Sequence, residues 1–306
     1  MSSNDVVEEL RTDMLHGASW LLRRAAQGIE DATTDAGDPS ERLAYVRSLA
    51  RQLVHVRPSM AAIATTVAHI WAAGASASEN PQAQLAAIRN AARDIQQQWQ
   101  QWASTTSGMV EWVRALNPNS VYTLSRSGSV ETILTTLARE RDPEKPLHVF
   151  VSQSMPGGEG VDLASALAHV GAQVALAPDG ACASLMSSVD CVLIGADSIR
   201  SNGSVVNKLG TYTLALAAQA ARKPVYALAE TLKVTARSYP LVIEQASSSL
   251  LMPEPVTGVT AVAPLFDVTP TELITAIVTE RGVLSHAALA RLAAQAEDNY
   301  QSLMRL

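Results

Sequence analysis

Residues 191–230 read CVLIGADSIRSNGSVVNKLGTYTLALAAQAARKPVYALAE. The stretch opens with a short continuous apolar run at 191–196, CVLIGA, and closes with another at 224–229, PVYALA. Both have strand length. Between them lies a segment, 211–221, whose composition suits a helix. Two strands joined across a helix make a right-handed βαβ unit, which forces the strands parallel. Runs that are apolar throughout, rather than alternating, predict strands covered on both faces. Toward the N-terminus the pattern recurs as VYTL at 121–124, LHVFVS at 147–152 and AQVALA at 172–177, separated by helix-compatible segments at 130–139 and 162–170. The expected fold class is α/β, a Rossmann-like doubly wound parallel sheet. Toward the C-terminus, Thr269-Pro270 reads as the start of a helix (TPTELITAIVTE), and a further helix is expected from Ser285.

Upstream of Leu116 the period changes to that of helices. Apolar residues recur at helical spacing over 6–29, Asp38-Pro39-Ser40 is a start signal, and MAAIATTVAHIWAA at 60–73 is an apolar helix. Asn80-Pro81 opens another, running to about Trp102, with Leu85, Ile88, Ala92, Ile95, Trp99 and Trp102 on one face. The breaker cluster Asn117-Pro118-Asn119-Ser120 marks the boundary. The expected organisation is a helical domain over 1–116 and a Rossmann-like domain with C-terminal helices over 117–306.

A chain of 306 residues, 47% apolar and 17% charged, is long enough for two such domains. Its 23 basic and 29 acidic side chains give a net charge of −6 with no basic run, which argues against nucleic-acid binding by bulk electrostatics. Cys182 and Cys191 lack metal-ligand spacing and read as buried small side chains, not a disulfide framework. The histidines at 55, 69, 148, 169 and 286 also lack it, so neither metal nor cofactor is expected. The polar, acidic N-terminus is unlike a signal peptide and no apolar stretch reaches membrane-spanning length, so a cytoplasmic protein is expected.

In an open parallel sheet, ligands bind at the loops leaving the strands' carboxyl ends. Four such loops stand out. Ser125-Arg126-Ser127-Gly128-Ser129 opens a helix, where it is either an ordinary cap or an anion cradle. The Gly-rich turn 154–160 is either connection or a close approach to ligand. Asp197, after CVLIGA, is a cap, a hydroxyl acceptor or a general base. Asn207-Lys208, just ahead of a helix beginning at Gly210-Thr211, suits a phosphate clamp, with a solvated surface lysine as the alternative.

In combination, GADSIRSNGSVVNKLGTYTLALAAQAARKPVYALAE and FDVTPTELITAIVTERGV resemble the family that includes initiation factor 2B regulatory subunits and the methylthioribose-1-phosphate and ribose-1,5-bisphosphate isomerases. The resemblance runs from about residue 115 to 285. It extends more faintly through Leu15-His16-Gly17-Ala18 and Val56-Arg57-Pro58-Ser59. It implies that Asp197 matches the catalytic acidic residue of the isomerases, that Asn207 and Lys208 contact substrate, and that Arg57 helps hold it. Gly17 and Ala18 match the end of an Arg-Gly-Ala loop, and Asp179 matches a structural Asp. The departures are equally specific. Ser125 stands where the isomerases place a catalytic Cys, His16 replaces the loop's Arg, and Glu159 falls where a substrate-contacting Gln is found. Gln153 and Met155 replace Glu and Arg of many relatives. A hydroxyl is a far weaker acid than a thiol, and a neutral imidazole is no substitute for a guanidinium.

Two readings follow. One is a sugar-phosphate aldose–ketose isomerase acting on a phosphorylated pentose in an interdomain pocket. Asp197 is then the base and Ser125 is reduced to a donor, with His16, Gly17, Ala18, Arg57, Arg126, Ser127, Glu159, Asn207 and Lys208 around the substrate. The other is a non-catalytic regulatory or sensor subunit that binds a sugar phosphate or nucleotide. A homodimer is what the resemblance implies for assembly.

Overall fold

β1 (Ser120–Leu124) lies inside a seven-stranded sheet whose other members are β2 (His148–Ser152), β3 (Gln173–Ala177), β4 (Cys191–Ile194), β7 (Val225–Leu228), β9 (Ala276–Thr279) and β10 (Gly282–Val283). This is a computed structural model describing residues 3–13, 16–34 and 37–305. The order is β10-β9-β7-β4-β1-β2-β3, parallel throughout except for β10. Chain direction through the sheet reverses between β1 and β4, the topological switch point of a doubly wound fold. The helices α7 (Gly128–Glu140), α8 (Gly160–His169), α9 (Cys182–Leu185) and α10 (Thr211–Ala220) connect the strands. A second, antiparallel sheet joins β5 (Ser198–Ile199), β6 (Val205–Lys208) and β8 (Phe266–Thr269).

Among the described residues six helices precede the sheet: α1 (Ser3–Thr12), α2 (Ala18–Ala32), α3 (Pro39–Val54), α4 (Ala61–Ala77), α5 (Pro81–Gln100) and α6 (Trp102–Leu116). The start signals act as expected. Asp38 accepts hydrogen bonds from the Ser40 and Glu41 amides, Asn80 from those of Gln82 and Ala83, and a proline follows each cap. Leu85, Ile88, Ala92 and Ile95 form the buried face of α5. That helix stops at Gln100, and the Trp102 side chain lies outside what is described. The run 6–29 is two helices, because the chain turns at Asp13 and Gly17 caps α2; residues 14 and 15 are outside the description.

Packing crosses the chain order. Met109, Val110 and Val113 of α6 share a core with Val121, Ile133 and Leu137 beneath the sheet. Conversely α11 (His286–Met304), capped by Ser285, returns to the helical layer. Its Ala296, Tyr300 and Leu303 are buried with Leu21, Leu53, Ile63 and Ile70.

Two expectations are corrected. No helix starts at Thr269-Pro270. Instead β8 ends at Thr269, a single 3-10 turn spans Thr271–Leu273, and β9 follows. The β-branched run Ile274, Thr275, Ile277, Val278 and Thr279 prefers extended backbone, and β9 gains a parallel partner in β7 with Ala276 opposite Tyr226. Nor is every strand covered on both faces. β3 is an edge strand, and its Leu176 is 46% exposed.

Candidate functional site

At the switch point the loops after β1 and β4 bound a cavity of about 470 Å³, roofed by the start of α2 and walled by β6. Asp197, Ser125, His16, Gly17, Ala18, Arg57, Arg126, Ser127, Glu159, Asn207 and Lys208 all line it. The structure thus gathers residues spread over nearly two hundred positions into one crevice.

Backbone geometry explains how. Ser125 follows β1 in the left-handed region (φ 58°), a sparsely populated conformation for a side-chain-bearing residue. Its amide donates to Ser154 Oγ at 2.6 Å. Ser154 is fixed in turn by Asp179, whose carboxylate accepts from the Ser154 and Met155 amides at 2.7 and 2.8 Å. Asp179 therefore has a structural place, clamping the turn after β3 to the turn after β2, whose Ser154 in turn holds the loop after β1. After β4, a Cβ on Gly195 would sit 2.5 Å from Ser127 Oγ, so only glycine lets the two loops approach.

Asn207 and Lys208 are aimed by the small sheet, where they pair with Asp267 and Phe266 of β8. Asp267 Oδ2 accepts from the amides of Gly210 and Tyr212 at 2.9 and 3.1 Å, capping α10. Gly210 adopts φ +100° to make this turn. Asn207 Nδ2 donates to Thr211 Oγ1 at 3.0 Å, and Thr211 Oγ1 donates to the Lys208 carbonyl at 2.6 Å. Burial raises the Asp267 carboxyl to about 6, against the pull of its two amide donors.

Among the described residues three helix N-termini meet the cavity without a side-chain cap: α2, entered through Gly17, α7, entered through Ser127, and α8, entered through Glu159. Their first-turn N–H groups and positive dipole ends favour an anion.

The charged groups grade from deep to shallow. Arg57 and Lys233 have side chains only 5% exposed, Lys208 12%, whereas Arg126 is 48% exposed at the mouth. Each has a carboxylate: Arg57 Nε donates to Glu244 Oε2 (2.7 Å), Lys233 lies 3.1 Å from Glu230 Oε2, Arg126 Nε donates to Glu131 Oε2 (2.8 Å) and Lys208 Nζ donates to Glu159 Oε1 (2.5 Å). His16 Nδ1 lies 2.7 Å from Asp13 Oδ2, with its ring stacked 3.8 Å from Trp20. Lys208 is thus not a lone point charge.

Asp197 sits among the deep cations. No hydrogen bond reaches its carboxyl among the described residues, and the residue lines the cavity. Burial pushes it above the ordinary carboxylate value, opposed by Lys233 first, then Lys208 and Arg57, while Glu244 adds to the rise. A carboxylate so placed is a stronger base than a solvated one. Both cysteines are buried, Cys191 raised to about 12 by burial, so neither supplies the thiol missing at Ser125.

Sequence reasoning missed Lys233, which arrives on a 3-10 turn (Thr231–Lys233) after β7 with no motif around it. Asp13, Trp20, Glu131 and Asp162 were missed also; nothing in their spacing marks them. A larger cleft, about 950 Å³, opens on α3 and α4. Its Arg51 donates to the carbonyls of Leu303 and Met304, and Arg47 to that of Arg305, so these arginines close the C-terminus of α11. It contains none of the sheet's loops. Among the described residues no helix is long and apolar enough to cross a membrane.

A doubly wound sheet roofed by a helical layer, with a cavity of paired charges at the switch point, defines the class, and the comparisons with known proteins give the family. Residues 14–286 match the initiation factor 2 subunit family, to which the chain belongs. Among its relatives, the ribose 1,5-bisphosphate isomerase of Archaeoglobus fulgidus is 29% identical over 290 residues, 92% of this chain and 88% of that protein. The methylthioribose-1-phosphate isomerase of Gemmatimonas aurantiaca is 32% identical over 297 residues, 91% and 83% of the two chains. The crystal structure of the Pyrococcus horikoshii translation initiation factor eIF-2B superimposes with a TM-score of 0.76 at 26% identity, covering 92% of this chain and 96% of that one.

Proposed function

We propose that the cavity binds a phosphorylated pentose and interconverts its aldose and ketose forms. The observation that carries this reading is Asp197, a carboxyl biased toward its protonated form by burial, open to the cavity beside Lys233, Lys208 and Arg57. In the proposed step a proton leaves the carbon next to the carbonyl, rests on Asp197 and is delivered to the former carbonyl carbon, while the proton of the adjacent hydroxyl passes to the former carbonyl oxygen. No other reactant is consumed. The deep cations offset negative charge developing on the sugar oxygens, and the Ser125 hydroxyl donates to one of them. Phosphate is received by the first turn of α2 (Gly17, Ala18) beside Arg57, with His16 at the rim. Asn207, Lys208, Ser127, Arg126 and Glu159 orient the sugar. The relatives named as sugar-phosphate isomerases support this assignment.

One observation favours a regulatory subunit instead. The Ser125 hydroxyl has no hydrogen-bonded base among the described residues, so it cannot act as a proton-transfer group of its own. The two readings part on one experiment. The protein is screened by thermal shift against pentose phosphates and nucleoside monophosphates, and the best ligand is followed by NMR in deuterium oxide. An isomerase exchanges the carbon-bound proton, and Asp197→Asn abolishes exchange while retaining binding. Tight binding without exchange selects the regulatory reading, and absence of any binding rejects both.

We propose also that two copies associate and that the protein works in the cytoplasm. The exposed apolar side chains Val242, Leu251, Val256, Val259 and Val262, between β7 and β8, support association. The division into 1–116 and 117–306 stands as a proposal of the same kind.

A further inference from the structure

His16 stands where the resemblance places an arginine, and Asp13 holds its ring in one tautomer. The Asp13 carboxylate, 11% exposed, accepts from the His16 amide through Oδ1 at 2.8 Å, and its Oδ2 lies 2.7 Å from His16 Nδ1. An ionised carboxylate only accepts, so the proton of the neutral ring sits on Nδ1 and Nε2 is left as a bare lone pair. Trp20, stacked at 3.8 Å, fixes the plane of the ring. A ring held in this way donates from Nε2 only after taking up a second proton. His16 immediately precedes Gly17, which caps α2, and the approach there is open: a Cβ on Gly17 would meet no atom within 4 Å. A phosphoryl dianion seated on the first-turn amides also only accepts, so it gains a contact from His16 when the ring is imidazolium and not otherwise.

From this geometry we propose that Asp13 is a positioning residue that makes phosphate binding at the entrance of α2 proton-linked: His16 grips a phosphoryl group when protonated and releases it when neutral. The inference rests on the sugar-phosphate reading above and adds a regulation of that site. An arginine gives no such linkage, because a guanidinium stays charged, whereas histidine changes charge between about pH 5 and 8. The other charges around the ring are matched. Arg57 Nη1 donates to the Asp13 carbonyl at 2.6 Å and is itself paired with Glu244, while Arg24 of α2 pairs with Glu9 of α1. Elsewhere on the cavity Arg126 is paired with Glu131, Lys208 with Glu159 and Lys233 with Glu230, and Asp162 lines the wall. Asp197, raised by burial, also favours an anion when protonated, so the experiment separates it from His16.

The test is titration calorimetry of the full chain with ribose 1-phosphate and ribose 5-phosphate at pH 6.5, 7.5 and 8.5, repeated with His16→Gln and Asp13→Asn. Over this range the second ionisation of the phosphoryl group is nearly complete and acts in the opposite sense. Wild-type affinity falls about tenfold from pH 6.5 to pH 8.5, the loss of one charge-assisted hydrogen bond. His16→Gln, whose amide does not titrate, removes most of that fall while keeping Asp197. In Asp13→Asn the amide donates to Nδ1, the neutral ring carries its proton on Nε2, and affinity at pH 8.5 rises above that of the wild type. A merely structural role for Asp13 gives a loss at every pH instead, and that result overturns the inference. A wild type indifferent to pH, or a fall that survives His16→Gln, also overturns it and leaves the sugar-phosphate reading standing. Failure of both sugars to bind at every pH overturns the reading and the inference together. Ring-nitrogen NMR of the wild type decides the matter even if the variants fold poorly: at pH 8.5 His16 carries its proton on Nδ1, and a proton on Nε2 refutes the tautomer on which the linkage depends.

Discussion

Asp267 touches no ligand in this scheme, yet its carboxylate holds the turn that presents Asn207 and Lys208. Its raised value has a definite sign. The folded state takes up the proton more readily than the unfolded chain, so the associated stability is fully present below the ordinary carboxylate value and is lost as the pH rises through about 6. Urea unfolding at pH 5 and pH 7.5 reads it: Asp267→Asn removes about 1.4 kcal/mol of pH dependence that the wild type shows. Equal slopes in the two proteins refute the assignment. Lys233 gives a second residue-scale prediction. Lys233→Met leaves Glu230 buried without its cation and Asp197 without its foremost counter-charge. Ligand affinity falls at least tenfold, and stability drops by about 3 kcal/mol, the usual result of removing one partner of a buried pair. Retained affinity in a folded variant removes Lys233 from the site.

At the scale of elements, α11 is the piece whose place runs against chain order. Leu303 is fully buried against the helical layer, so Leu303→Ala costs about 3 kcal/mol in denaturant unfolding, whereas the exposed Leu176→Ala on the edge of β3 costs less than about 0.5. Comparable losses at both positions contradict the packing. The strands that position the site were legible because five apolar runs of strand length alternate with helices, a pattern few other folds produce. The segment 269–280 was misread because Thr-Pro also opens a turn, and the β-branched residues beyond it find their partner in β7, some fifty residues upstream. The cavity's candidates were legible where loops leave strands or a motif carries them. Their partners were not. Glu244 reaches Arg57 from an irregular segment 187 residues away, and no local signal encodes such a contact.

For the whole molecule, association is the property most open to measurement. Val256, Val259 and Val262 are each more than half exposed on one long connection between β7 and β8. Light scattering coupled to size exclusion is expected to give twice the chain mass of 32.4 kDa, and Val259→Glu with Val262→Glu to return it to the monomer. A monomeric wild type rejects the proposed dimer.

The return of α11 has a further effect on traffic through the crevice. One wall belongs to helices near the start of the chain, the other to strand ends in its second half. The final helix is anchored on the first group by its own apolar face and by Arg51 gripping its last carbonyls. Tail and head are thereby stitched together, and swinging the halves apart means tearing out that seam. The exposed side chains His16 and Arg126 lie on the cavity's lining, where rearrangement needs no such separation.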